Sequence, residues 1–343
     1  MIMNKTSHIL HTRDLAIGFK GNKKETGFIF GNISVNAGKS ELIALFGPNG
    51  IGKSTLLRSL VKLQYPLSGN IFLFNENINN FSRSSLSRKL GFVSTETIRV
   101  NNMKVYDLVS LGRYPYTGWM GRLNNYDIEK VEDAINMVGI KRLENKYINQ
   151  LSDGERQRAM IARTLAQDTG IIVLDEPTAF LDLPNKYEIV HLLQSMARKN
   201  GKTIIFSTHD LNIAIQEADK IWLMLGNGII QGAPEDLILE GSFGQMFEDT
   251  QLKFSDHTGE FRIRREAGSR IGLTGPEPEN KWTRNALERI GFEVTGQPGP
   301  DLMRMINIRK RGGRTEWNLK SKGDQKIFNH IYELCLYLRS FTR

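Results

Sequence analysis

"FGPNGIGKST", residues 46–55, places three glycines, one lysine and two hydroxyls in ten positions, directly after the apolar run "LIAL". A backbone without side chains admits a ligand closely, and successive amide N–H groups at the start of a helix form a concave anion site. Gly47, Gly52, Lys53 and Ser54 fit the spacing of a phosphate-binding loop, in which the lysine reaches the terminal phosphates and the hydroxyl serves the accompanying magnesium ion. The remaining alternative is a glycine-rich turn with an exposed lysine, and it requires that the other half of a phosphate site be missing.

Composition sets the frame. With 343 residues and 40% hydrophobic content, the chain can bury a full core and form one large and one small domain. No stretch reaches the apolar length of a bilayer span, and the start, "MIMNKTSHILHTRDL", lacks the apolar block of a secretory signal, which predicts a soluble cytoplasmic protein. The single cysteine, Cys335, stands with Ile327, Ile331 and Leu338 at helical spacing, a core pattern. The net charge of +9 is uneven: residues 255–343 carry 17 basic and 11 acidic side chains, against 29 and 26 before them. Nucleic acid, an anionic membrane surface or plain solubility all fit such a balance.

Three apolar runs end at polar residues: "ELIAL" before the glycine-rich loop, "IIVL" before Asp175 and Glu176, and "TIIF" before Ser207 and His209. Buried parallel strands have this form, and ligands of open α/β sheets gather at the strands' carboxyl ends. Helical patterns such as "STLLRSLVKL" and "NKYEIVHLLQSMARK" alternate with them, which predicts an α/β fold with a parallel-sheet core. Residues 84–166 read as a helical insertion. After Phe254, "EFRIRR" and "MRMINIRK" read as strands, "RKRGGR" as a turn, "WTRNALERIGF" and "DQKIFNHIYELCLYLRSF" as helices, and "TGPEPEN" and "TGQPGPD" as loops. The expected division is therefore a domain over 1–254 and a small α+β domain over 255–343.

The run "IIVLDEPTAFLD" supplies the other half of a phosphate site. Asp175, at a buried strand end, is placed to hold magnesium opposite Ser54, and the adjacent Glu176 to polarise a water for attack on a terminal phosphate. His209, after the next strand, can hydrogen-bond that phosphate. In "LSDGERQR", Ser152 and Glu155 have capping-box spacing, so a helix begins there with its positive end available to a second anion.

These motifs, in this order, resemble the nucleotide-binding subunit of ATP-binding cassette (ABC) transporters over residues 8–250. "GPNGIGKS" is similar to the Walker A loop, "LSDGE" to the signature motif, "IIVLDE" to Walker B, "AFLD" to the D-loop, and His209 to the switch histidine. The resemblance implies a P-loop NTPase cassette in which Gly47, Pro48, Asn49, Gly50, Ile51, Gly52, Lys53, Ser54 and Thr55 bind ATP. It implies a homodimer with two ATP molecules at its interface, each also touched by Ser152, Asp153, Gly154 and Glu155 of the other copy, with Asp182 at the dimer centre. Phe19 stands where the family stacks a ring on adenine; core packing is its other reading. Asp153, where the signature has a second glycine, is expected to turn its carboxylate away from phosphate.

"VYDLVSLGRYPYTGW" resembles ATPases of importers for iron chelates, haem and cobalamin. The partners implied are integral-membrane permease subunits and, indirectly, a substrate-binding protein, with the chain peripheral on the inner face of the membrane. Tyr114, Tyr116 and Trp119 fit either a permease-binding groove or packing within the insertion. Where the family has a glutamine that ligates magnesium and senses the permease, this chain has the shorter Thr95, followed by Glu96: the threonine hydroxyl acts through water, or Glu96 takes over, or coupling is altered. The competing function is a non-transport ABC ATPase acting on nucleic acid or ribosomes and regulated through its C-terminal module; the absence of a second cassette or a coiled coil weighs against it.

Overall fold

The computed structural model describes residues 8–20, 26–94, 102–226, 228–246, 250–255, 259–263, 268–296, 302–321 and 323–341. The chain divides into two compact units, residues 1–248 with 254–260 and residues 249–253 with 261–343.

The first unit is built on a six-stranded sheet in the order Gly228–Gly232, Lys220–Leu225, Leu42–Phe46, Thr203–Thr208, Ile171–Leu174, Leu90–Val93. Every pairing is parallel except that of the edge strand Gly228–Gly232. Its central strands are continuous apolar runs, and all residues of Leu42–Phe46 and Ile171–Leu174 are buried, as a sheet covered on both faces requires. The register brings the strand ends level: Phe46 pairs with Thr208, and Leu174 with Phe206. The segments that follow these strands must therefore emerge side by side. A second sheet, which the sequence patterns do not disclose, is antiparallel and runs Thr26–Ile33, Leu10–Lys20, Ser68–Leu73, Glu76–Asn77.

The helical region consists of Val105–Ser110, Asn125–Met137 and Asp153–Ala166, packed on one another. The expectation of helix from residue 84 onward needs correction, because Leu90–Val93 is a strand of the main sheet, paired parallel with Ile171–Leu174. Four residues of "LGFV" carry too little periodicity to be told from a helix turn; only the parallel partner identifies them. The insertion is tied down by a buried ion pair. Arg113 Nη2 lies 2.8 Å from Asp127 Oδ1, Nη1 donates to Ala166 O at 2.8 Å, and the Tyr116 ring stacks 4.0 Å from the guanidinium. Tyr116 also donates to Gln167 O, so it belongs to this packing, whereas Tyr114 and Trp119 are exposed.

The second unit has a five-stranded sheet, Glu293–Thr295, Arg270–Thr274, Arg304–Arg311, Arg314–Ser321, Asp324–Phe328, with helices Glu279–Arg289 and Ile331–Arg339. Leu287, Leu334 and Leu338 of the helices share one core with Ile271, Leu273, Ile306, Ile308, Trp317 and Leu319 of the sheet. Gly312 and Gly313, at φ 57° and 77°, form the two-residue turn of a hairpin, a conformation in which both positions favour glycine. The reading of "DQKIFNHIYELCLYLRSF" as one helix is corrected: Asp324–Phe328 pairs antiparallel with Arg314–Ser321, and the helix starts at Ile331. Sheet pairing overrides the helical spacing there, and Ile327, expected beside Cys335 in the core, is exposed. Cys335 itself is buried, and burial pushes its thiol pKa up. Of the strand and loop expectations, residues 264–265 and 297–301 lie outside the described residues.

The Arg113–Asp127 pair gives the first prediction. Asp127→Ala leaves a buried guanidinium without its carboxylate and should lower stability by about 3–5 kcal/mol in urea unfolding, whereas Arg113→Met with Asp127→Leu should cost much less.

Candidate functional site

The level strand ends explain the site. The glycine-rich loop leaves Leu42–Phe46, Asp175 and Glu176 leave Ile171–Leu174, and His209 leaves Thr203–Thr208, all at the carboxyl edge of the main sheet. They meet in a cleft of about 590 Å³ lined by Phe19, Ile29, Asn49, Gly50, Gly52, Lys53, Ser54, Thr55, Glu176 and His209.

The loop's geometry is dictated by glycine. Gly52, immediately before helix Lys53–Leu60, has φ 111°, and a Cβ there would stand 2.8 Å from Ile29 Cγ2. Lys53 is 6% exposed, and its ammonium donates to Gly47 O at 2.8 Å and Pro48 O at 3.1 Å. Burial lowers its pKa from the ordinary lysine value, opposed by the charges of Glu176 and Asp175. Ile51 packs against the main core, and Phe19, at 59% exposure on the cleft wall, is not a core side chain.

Across the loop, Asp175 is 1% exposed. Its Oδ1 accepts from Ser54 Oγ at 2.9 Å and from Ser207 Oγ at 2.8 Å, while its Oδ2 is buried with no hydrogen-bond partner. A buried carboxylate oxygen without a donor, next to a helix-start serine, fits the donor set of a hard divalent cation. Glu176 follows in a left-handed conformation, φ 45°, its N–H donating to Ser207 Oγ at 2.8 Å and its carboxylate 3.7 Å from His209 Nδ1. Ser207 was visible in the sequence only as a strand-end polar residue; its two contacts arise from the pairing of its strand between the other two.

Ser152 caps helix Asp153–Ala166, and the capping box closes: its hydroxyl accepts from Glu155 N–H at 3.3 Å and Glu155 Oε2 from Ser152 N–H at 3.0 Å. The Asp153 carboxylate is held 3.0 Å from Arg156. None of residues 152–155 lines the cleft. Asp182 caps helix Leu183–Asn200, accepting from Asn185 N–H and Nδ2, and Asn185 in turn lies beside Gly154. Thr95 and Glu96 lie outside the described residues. Among the described residues no cluster of three or more His, Cys, Asp or Glu side chains could hold a metal, and no helix is long and apolar enough to cross a membrane.

Residues 30–179 match the "ABC transporter" family model, and residues 268–339 match "Iron ABC transporter C-terminal domain". The achromobactin transport ATP-binding protein of Dickeya dadantii is 37% identical over 237 residues, covering 69% of this chain and 86% of that protein. The chain belongs to the ATP-binding subunits of ABC transporters. The ferric enterobactin transport ATP-binding protein of Escherichia coli is 37% identical over 208 residues, 60% of this chain and 77% of the relative. A bacterial ABC transporter cassette solved as a dimer superposes with a TM-score of 0.58 at 26% identity, covering 66% of this chain and 98% of that one. The same cassette is known bound to ADP and phosphate. This ABC subunit is thus an ATPase that binds adenine nucleotide, and its relatives give the nucleic-acid reading no support.

Two substitutions test the cleft. Lys53→Ala should lose most ATP affinity while the protein remains folded, measured by equilibrium binding and circular dichroism. Phe19→Ala should weaken binding of adenine nucleotides by about 1–3 kcal/mol, the range for a ring stacked on a base, and leave affinity for inorganic triphosphate unchanged.

Proposed function

We propose that this subunit powers uptake of an iron chelate of the siderophore class through a separate membrane permease, hydrolysing ATP between two copies of the chain. The observation that carries the two-copy arrangement is the composition of the cleft, which gathers Lys53, Ser54, Glu176 and His209 but not the capped helix start at Ser152. A second copy supplies that helix start, whose N–H groups and hydroxyl suit the exposed side of a triphosphate. The cargo reading rests on the siderophore transport names of the relatives and on the match of the C-terminal unit.

Ser54 and Asp175 would hold a magnesium ion, with Thr95 or Glu96 as a candidate further ligand; such an ion would supply positive charge to offset that of the nucleotide's phosphates. Lys53 binds the same phosphates. Glu176 takes the proton of the attacking water, and His209 donates to the γ-phosphate and orients it. Closure of two copies excludes water from this chemistry, and opening after hydrolysis releases the pair. Exposed Trp119 and Tyr114, and a second groove of about 550 Å³ lined by Leu63, Tyr65, Phe92 and Arg163 among others, offer the surface for the permease's cytoplasmic segment. The subunit is then peripheral on the inner membrane face and meets the substrate-binding protein only through the permease. The C-terminal unit has its own core, so it acts as an accessory domain.

Glu176→Gln keeps the shape of the side chain but cannot accept the proton. It should bind ATP normally, lose turnover by about 10²-fold or more, and accumulate as an ATP-bound dimer on size exclusion. Normal steady-state hydrolysis by this variant overturns the assignment.

A further inference from the structure

We propose that Ser207 is a positioning residue for hydrolysis, one hydroxyl that sets both Asp175 and Glu176. The inference rests on the reading of Glu176 as the base. Ser207 is 0% exposed and lies within Thr203–Thr208, flanked by Leu42–Phe46 on one side and Ile171–Leu174 on the other. Its partners leave no freedom in how its proton is placed. An amide N–H can only donate, so the hydroxyl accepts from Glu176 N–H and turns its own proton to Asp175 Oδ1, both at 2.8 Å.

Each bond has a consequence for the cleft. With Ser54 and Ser207 both donating to Oδ1, the Asp175 carboxylate is fixed in the orientation that leaves Oδ2 free. The bond to the Glu176 amide holds the peptide between the two acids. Glu176 is then kept at φ 45°, a conformation that a non-glycine residue abandons unless its surroundings hold it, and from which its carboxylate lines the cleft near His209. Without the hydroxyl, the amide loses the acceptor that pins it, and Glu176 is free to relax toward ordinary backbone geometry. Lys53 bonds to Gly47 O and Pro48 O, and Ser207 is not among the residues that line the cleft beside Lys53 and Phe19, so nucleotide affinity should survive its loss.

The test compares Ser207→Ala, Ser207→Thr and Glu176→Gln, alone and combined, in the full chain. S207A should lower kcat about tenfold or more with ATP affinity, measured by equilibrium binding, changed less than about threefold, and S207T, which keeps the hydroxyl, should recover most of the loss. Added to E176Q, S207A should lower the residual turnover by a clearly smaller factor than it does in the native background, because the part of its effect exerted through Glu176 is already lost. Full activity in S207A beside an inactive E176Q overturns the role of Ser207 alone. So does an S207A loss of the same factor in both backgrounds, or one that appears as lost ATP affinity. Undiminished turnover in E176Q overturns the base reading and this inference with it. If S207A does not fold, the S207T result decides: a folded, ATP-binding but inactive threonine variant overturns the proposal.

Discussion

The carboxylate of Asp175 joins three strands at one point. A charge at 1% exposure is costly unless it is hydrogen-bonded, and the donors that satisfy it are Ser54, from the helix after Leu42–Phe46, and Ser207, from Thr203–Thr208. The bonds therefore fix the start of helix Lys53–Leu60, and the glycine-rich loop before it, against the strand ends rather than merely stabilising a side chain. The same constraint leaves one oxygen buried and unpartnered, which an apolar core would not tolerate and a cation site requires. Parallel register makes this possible, since a shift of one strand by one residue would carry Ser207 to the opposite face of the sheet.

Much of the cleft was legible because its parts are local. The glycine spacing of residues 47–54 and the acids after "IIVL" each announce their chemistry within a few residues, and the capping box at Ser152 does the same for its helix. What the sequence hid depends on pairing across long separations. The double contact of Ser207 exists only because residues 171–174 and 203–208 are neighbours in the sheet. Leu90–Val93 and Asp324–Phe328 are short segments whose strand identity comes from a partner, and the antiparallel sheet around Leu10–Lys20 has a bulged, irregular pairing that blurs its alternation. For Phe19 the sequence left adenine stacking and core packing both open, and its exposure on the cleft wall removes the core reading.

Within one chain, helix Leu183–Asn200, capped by Asp182, links the acids at the strand end to the capped helix start at Ser152. It follows Asp175 and Glu176 by a short turn, and its Asn185 lies against Gly154 at the start of helix Asp153–Ala166. A displacement at Asp175 and Glu176 thus has a short mechanical route to the residues assigned to the other copy's nucleotide. The C-terminal unit has a core of its own, shared by its sheet and its two helices.

The claim that each nucleotide is held between two copies is tested most directly by cross-linking. One preparation carries Asn49→Cys and another Ser152→Cys, both with Glu176→Gln; the native Cys335 is buried, with its thiol pKa raised, and stays unreactive. When the two are mixed with ATP and a short thiol cross-linker, any bond between the introduced cysteines joins separate chains. An ATP-dependent cross-linked dimer is the expected result. If both thiols react with a monofunctional reagent but no dimer forms with ATP, the signature segment does not complete the partner's site, and the two-copy account is contradicted.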